Sequence, residues 1–191
     1  MPRTSFDDLP DHGRLWVFPA NRPLTERELA RVEAVVDDFL DGWAAHGQPL
    51  RSGRTLSDGR FVLVGVDVDA ESPSGCSIDA LTNALRGLGT ELGLRLIDHA
   101  PVWYREGEEI RTVSRADFRA LAEAGAVTPD THVFDTSLTR IEQARAGELE
   151  KPARESWHGR AFFPGADRRL SSPGAPPEGA PPSARPGPRP A

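Results

Sequence analysis

The chain has 191 residues, of which 38% are hydrophobic, and its formal net charge is -6 at pH 7. This length suits one domain of ordinary size, or two small domains with a tail. The acidic balance argues against nucleic acid as a partner, because duplex binding needs a clustered basic face. No run approaches the roughly 20 apolar residues that cross a bilayer. The opening residues also lack an apolar signal core, so we expect a cytoplasmic protein without membrane insertion.

The first elements in chain order are a strand and a helix. Leu15 to Phe18 form the first apolar run. Thr25 with Glu28 three residues later makes a capping box, which predicts the start of the helix. Apolar residues then recur at helical spacing, and we expect Gly47 and Pro49 to end the helix.

Two strands, a second helix and a last strand follow. Leu50 to Leu56 and Phe61 to Val68 are predicted strands, and Asp58-Gly59 between them is a strong hairpin signal. The second helix has a leucine-rich apolar stripe and is expected to stop at Gly93. Leu94 to Trp103 is predicted to be the strand that closes the sheet.

This β-α-β-β-α-β order suits an α+β fold, a ferredoxin-like sandwich over residues 1–101 in which both helices cover one face of an antiparallel sheet. Such domains often pair through sheet edges or faces, so the fold also admits a homodimer.

Residues 102–164 form a second, smaller α+β region. Val102 to Ile110 can form a strand and a tight turn, and Ser114 can cap a short helix. Gly125 to Phe134 reads Gly-Ala-Val-Thr-Pro-Asp-Thr-His-Val-Phe and returns to a strand. This pattern over residues 102–134 resembles the small GYF-like modules of bacteria. GYF domains proper bind proline-rich peptides through an aromatic surface that includes a Gly-Tyr-Phe triplet, which this sequence does not contain.

The last region, residues 165–191, is dominated by Pro, Ala, Gly, Ser and Arg. Such a composition cannot bury a core, so we expect an extended, disordered tail. Pro173 to Pro176 fits a Pro-x-x-Pro recognition pattern, although such matches are frequent by chance in a proline-rich tail.

A broader resemblance covers most of residues 12–163. It is carried by five segments: Trp16 to Leu24, Phe39-Leu40 with Trp43 to Gly47, Ser74 to Asp79, Tyr104 to Ile110, and Trp157-His158. Together these resemble a family of small bacterial proteins, frequent in the Bacteroidetes, that carry the label ABC transporter ATPase without an established activity.

The residues do not support ATP hydrolysis. There is no Gly-x-x-x-x-Gly-Lys-Ser/Thr loop, and Lys151, the single lysine, has no glycine-rich phosphate cradle ahead of it. We therefore predict that the protein is not an ATPase.

The only cysteine, Cys76, lies where a strand gives way to the second helix. The first turn of a helix offers unpaired backbone N–H groups to a thiolate or a bound anion. The candidate anion-binding residues are Ser74, Gly75, Cys76, Ser77 and Asp79.

The predicted topology also brings distant residues to this edge of the sheet. His46, Asp67, Asp69 and His12 could all lie there with Cys76. The candidate catalytic set is then Cys76 as nucleophile and His46 as base, with Asp69, or alternatively Asp79, as the group that orients the base. The spacing matches no short metal motif, so we predict no metal and no cofactor.

Structural interpretations of the same residues remain open. Cys76 could be buried as a small apolar residue under a helix whose cap is Ser77. His46 could stabilise a helix C-terminus, and Asp67 and Asp69 could simply face solvent. We therefore expect a non-catalytic protein that binds another protein or a small anionic ligand. The alternative is a cysteine-dependent enzyme that uses Cys76 and His46.

Overall fold

The computed structural model describes residues 3–69 and 71–164, so the tail predicted over 165–191 lies outside the described residues. The helices and strands follow in the order β1 (Arg14–Pro19), α1 (Glu26–Asp41), β2 (Ala44–Ala45), β3 (Gln48–Pro49), β4 (Ser52–Ser57), β5 (Phe61–Val66), α2 (Gly75–Leu92), β6 (Val102–Glu106), β7 (Glu109–Val113), α3 (Arg115–Glu123), β8 (His132–Phe134), α4 (Ile141–Arg145), β9 (Glu150–Pro152) and α5 (Trp157–Phe162). Within the described part of the chain, no helix is long and apolar enough to cross a membrane.

A three-stranded antiparallel sheet in the order β1-β5-β4 forms the first region. Because β1 and β4 both run antiparallel to β5, they are parallel to each other, and α1 connects them in a split β-α-β unit. Apolar residues of α1 and α2 pack against Val62, Val64 and Val66 of β5, so both helices lie on one face. The α+β class predicted from the sequence is confirmed.

The local signals that begin α1 and join β4 to β5 are confirmed. The Thr25 hydroxyl accepts a hydrogen bond from Glu28 N, and the Glu28 carboxylate accepts one from Thr25 N at 2.9 Å. In the β4–β5 turn Asp58 and Gly59 both have positive φ angles, 53° and 58°. Two successive left-handed residues are what a tight hairpin between twisted strands requires.

α1 is shorter than the prediction, which continued it to Gly47. It ends at Asp41 because Gly42 follows and Trp43 turns into the core, where its indole N–H donates to the Ser77 carbonyl at 2.9 Å. β2 and β3 then form a small hairpin in place of the last helical turn.

The prediction of a fourth strand over Leu94 to Trp103 is wrong. Strand structure begins only at Val102, and β6 belongs to a second sheet. The edge of β1 that the fourth strand would cover is bonded instead by a later segment, because Leu15 N donates to the Thr139 carbonyl at 2.9 Å. Pro101 immediately before β6 lacks an N–H group and so limits extension of the strand toward its N-terminus.

The second sheet has the antiparallel order β7-β6-β8-β9. One face packs against α3 and α5 around the fully buried Phe118. Ser114 caps α3 as predicted, since its hydroxyl accepts from Asp117 N at 3.1 Å.

The two sheets share a core. Phe61 of the first sheet stacks on Phe134 of the second, with ring centroids 4.8 Å apart, and meets Trp103 edge-on at 6.4 Å. The layers are therefore helices, sheet, sheet, helices, and the predicted boundary at residue 101 lies between two sheets that bury apolar side chains against each other.

Candidate functional site

Cys76 is exposed in the first turn of α2. The interpretation of this thiol as buried packing is therefore wrong. Within the described residues, no hydrogen bond joins Cys76 to His46 or to Asp69.

The residues predicted to bind an anion around Cys76 build the cap of α2. Ser74, not Ser77, is the N-cap, and its hydroxyl accepts from Ser77 N at 3.2 Å. The Ser77 hydroxyl donates back to the Ser74 carbonyl at 2.8 Å, and the Ser77 carbonyl accepts from the Trp43 indole. Gly75 and Asp79 are exposed. The two serines are thus held by bonds within the protein.

His46 is exposed in the turn between β2 and β3, with a φ angle of 50°. Because α1 ends at Asp41, this imidazole is not at a helix C-terminus, and that interpretation is wrong. The hairpin that carries His46 lies beside the start of α2, as the bond from Trp43 to Ser77 shows.

Asp69 and Asp67 lie just beyond β5 and have other partners. Asp69 Oδ1 lies 2.8 Å from His12 Nε2, so the predicted approach of these two residues is confirmed. Asp67 is buried rather than solvent-facing, and its carboxylate accepts from Asp69 N and from Arg51, each at 2.9 Å. The Asp69 N–H, followed by Arg51, lowers the pKa of Asp67 below its usual value.

A cleft with a different set of side chains lies between the β4–β5 turn and the β6–β7 hairpin. Its volume is about 510 Å³, within the range of small-molecule sites. The lining residues are Pro23, Asp58, Arg60, Arg105, Glu108, Glu109, Ile110 and Arg111. These residues come from both sheets, so the cleft exists only when the two sheets are packed.

Arg60 forms the floor of this cleft and is only 3% exposed. Its guanidinium donates to two backbone carbonyls, those of Ile110 at 2.7 Å and Asn21 at 3.2 Å. Its Nε has no hydrogen-bond partner among the described residues. Burial lowers the pKa of Arg60, and no carboxylate in the described part of the chain forms an ion pair with it. Among the described residues, Arg60 is therefore a buried cation without a counter-ion.

The two other arginines of the cleft are neutralised. Arg105 pairs with Glu150 at 2.5 Å and with Asp58 at 3.1 Å, and the hydrogen bond with Glu150 is the main reason that its pKa is raised. Arg111 pairs with Glu106 at 2.9 Å and with Glu109 at 3.2 Å. An added anionic group would thus find its uncompensated cation at Arg60.

Two more buried polar atoms without partners belong to the second sheet. Trp103 Nε1 and Thr112 Oγ1 are buried and have no hydrogen-bond partner in the described chain. Trp103 and Thr112 are directly opposite each other on β6 and β7. Thr112 shares a strand face with Ile110, whose carbonyl holds Arg60. The second sheet therefore holds two buried polar groups that have no hydrogen-bond partner in the described chain.

Sequence reasoning did not find this cleft. The only local signal is an arginine that directly precedes a run of buried strand residues, Phe61 to Val66. The pattern of apolar residues along β5 cannot show that the Arg60 guanidinium lies beneath a hairpin fifty positions later in the chain.

Comparisons of the chain with models of known protein families, with curated protein sequences and with solved structures found no match.

Proposed function

We propose that this protein is a non-catalytic binding protein that holds a small ligand through an anionic group, such as a carboxylate, at Arg60. The observation that carries the proposal is a guanidinium buried at the floor of an open cleft without a counter-ion among the described residues.

The physical reason is the cost of burying a charge. An arginine removed from water loses its hydration, and paired carboxylates or hydrogen bonds usually offset that loss. Carbonyls of Asn21 and Ile110 supply two of the five possible bonds to Arg60. A carboxylate would supply charge and further acceptors, and arginine is the side chain best suited to hold one through parallel bonds.

Calorimetric titration with propionate and with inorganic phosphate tests this proposal. We expect saturable binding of at least one anion to the wild-type protein, and loss of that binding in Arg60→Met. The matched control is Arg86→Met, which removes an exposed arginine of α2 outside the cleft. If neither anion binds, or if Arg60→Met binds as the wild type does, the proposal is wrong.

A cysteine-dependent enzyme is the second candidate. The observation that favours it is the exposure of Cys76 in the first turn of a long helix, where a thiolate is stabilised. His46 on the adjacent hairpin would be its base, and Asp69, which contacts His12 in this structure, would have to change partner to orient that base. The rate at which Cys76 is alkylated in the folded protein separates this candidate from the first.

A further inference from the structure

The rim of the Arg60 cleft has the opposite charge to its floor. Asp58, Glu108 and Glu109 line the rim, and Glu106 and Glu150 pair with the arginines there. Together with Glu106 and Glu150, which contact Arg111 and Arg105 from outside the lining, five carboxylates surround these two guanidinium groups, a surplus of three negative charges at the rim.

Glu108 is the rim carboxylate that is available to a ligand. It is exposed at the tip of the β6–β7 hairpin, after Gly107, and forms no ion pair or side-chain hydrogen bond within the described residues. Asp58 and Glu109, by contrast, already contact arginines. The cleft thus offers one uncompensated cation at its floor and one uncompensated anion at its mouth.

We propose that the ligand of this cleft is a small zwitterion, with a carboxylate bound at Arg60 and an ammonium or guanidinium group bound at Glu108. This inference rests on the proposed function and names its ligand class. The surplus carboxylates of the rim would weaken the binding of a simple anion at Arg60, whereas they would attract the cationic end of a zwitterion. The volume of about 510 Å³ has room for a ligand of amino-acid size or larger.

The distance between the Arg60 guanidinium and the Glu108 carboxylate determines which ligand length can contact both groups. An ω-amino acid places its ammonium farther from its carboxylate with each added methylene, so a series from glycine to 6-aminohexanoate measures the distance from floor to rim. The partner series from acetate to hexanoate has the same chain lengths without the ammonium group.

The test is calorimetric titration of both series at low ionic strength with the wild-type protein, Glu108→Gln and Glu123→Gln. Glu108→Gln removes only the rim charge, and the control Glu123→Gln removes an exposed carboxylate of α3 outside the cleft. At one chain length we expect the amino acid to bind about tenfold tighter than its matched carboxylate, which is the effect of one charge-assisted hydrogen bond. The preference should disappear in Glu108→Gln, persist in Glu123→Gln, and shrink as salt is added.

Other outcomes separate the two proposals. Equal binding of amino acids and matched carboxylates would overturn the zwitterion and leave the anion site intact. A preference that survives in Glu108→Gln would show that Glu108 is not the cation site and would overturn the inference. If no member of either series binds, both the inference and the proposed function fail.

Discussion

Arg60 and His158 are both buried, but Arg60 keeps its positive charge whereas His158 is held neutral. His158 is 1% exposed, and its Nδ1 lies 2.8 Å from the Ser156 hydroxyl, a bond that a neutral imidazole can make. Its ring stacks on Trp157, with centroids 3.8 Å apart. Burial lowers the pKa of His158 to about 4, so the folded protein holds it neutral, whereas the Arg60 guanidinium stays charged.

The lowered pKa of His158 predicts a loss of stability in acid. The folded pKa of about 4 lies below the unfolded value of about 6.5, so the unfolded chain binds more protons between those two values. Stability is therefore full above about pH 6.5 and falls as the pH decreases toward about 4. Between pH 7 and pH 5 this one group should remove about 2 kcal/mol from the free energy of unfolding.

Urea denaturation of wild type and His158→Phe at both pH values checks this prediction. The difference between pH 7 and pH 5 should be smaller in the variant by roughly that amount, about 2 kcal/mol. Equal differences would show that His158 is not held neutral. His46→Asn, which changes an exposed histidine that has no hydrogen-bond partner among the described residues, serves as the control.

Replacement of Arg60 separates a binding role from a structural one. Arg60→Met removes two hydrogen bonds to carbonyls but also removes the cost of burying a charge without a counter-ion. The two effects oppose each other, so we expect the free energy of unfolding to change by no more than about 1 kcal/mol. A loss above about 3 kcal/mol in chemical denaturation would mean that Arg60 chiefly holds the fold together.

The reactivity of Cys76 tests the enzyme candidate. The thiol is exposed, and within the described chain neither His46 nor any other side chain bonds to it, so we expect alkylation of the folded protein at a rate close to that of the denatured chain. Cys76→Ser gives the background rate. Much faster modification in the native state that is lost in His46→Ala would favour the cysteine enzyme over the binding protein.

Within helix α2, Gly87 and Gly89 have different surroundings. Gly87 is exposed, and a Cβ atom there would meet nothing within 4 Å, whereas a Cβ at Gly89 would lie 2.7 Å from the Leu94 carbonyl oxygen. Gly89 thus allows the chain to turn closely under the end of the helix, where Leu94 N donates to the Gly89 carbonyl at 2.8 Å.

The two glycines therefore predict opposite effects of the same substitution. Gly87→Ala should stabilise the protein by about 0.5–1 kcal/mol, because alanine favours the helix. Gly89→Ala should destabilise it by about 1–3 kcal/mol, because the backbone it meets has little room to move. Thermal unfolding of the two variants compares them directly. If both variants shift the melting temperature in the same direction, the close approach at Gly89 is not as described.

Elements with strong local signals were predictable from the sequence. The Thr25 capping box, the Asp58-Gly59 turn and the stop at Gly93, whose φ is 64°, depend on neighbouring residues and are all observed. The segment Leu94 to Trp103 was not predictable in the same way. It is apolar enough for a strand, but pairing is decided by which segment reaches the edge of β1, and Thr139 does so from more than 35 positions later.

At the scale of the whole molecule, the cleft results from the packing of one sheet on the other. The first sheet supplies Arg60 and Asp58, and the second supplies Arg105 and the hairpin that carries Glu108. A reactive or anion-binding site was predicted at Cys76 because a lone thiol at the start of a helix is a local pattern that can be read from the sequence. The sequence alone could not show that Arg60 lacks a counter-ion among the described residues, because this depends on which carboxylates the fold brings close to its guanidinium.

Whether Arg60 binds a ligand is tested most directly by following the NMR signal of its Nε–H group during titration. This group is buried and has no hydrogen-bond partner among the described residues, and the signal can be assigned by its absence in Arg60→Met. Titration with propionate, and then with the best ω-amino acid, should shift that signal progressively to a saturating value, while the signals of other arginines away from the cleft stay in place. A signal that does not move at any concentration of either ligand would show that Arg60 is not a ligand-binding group.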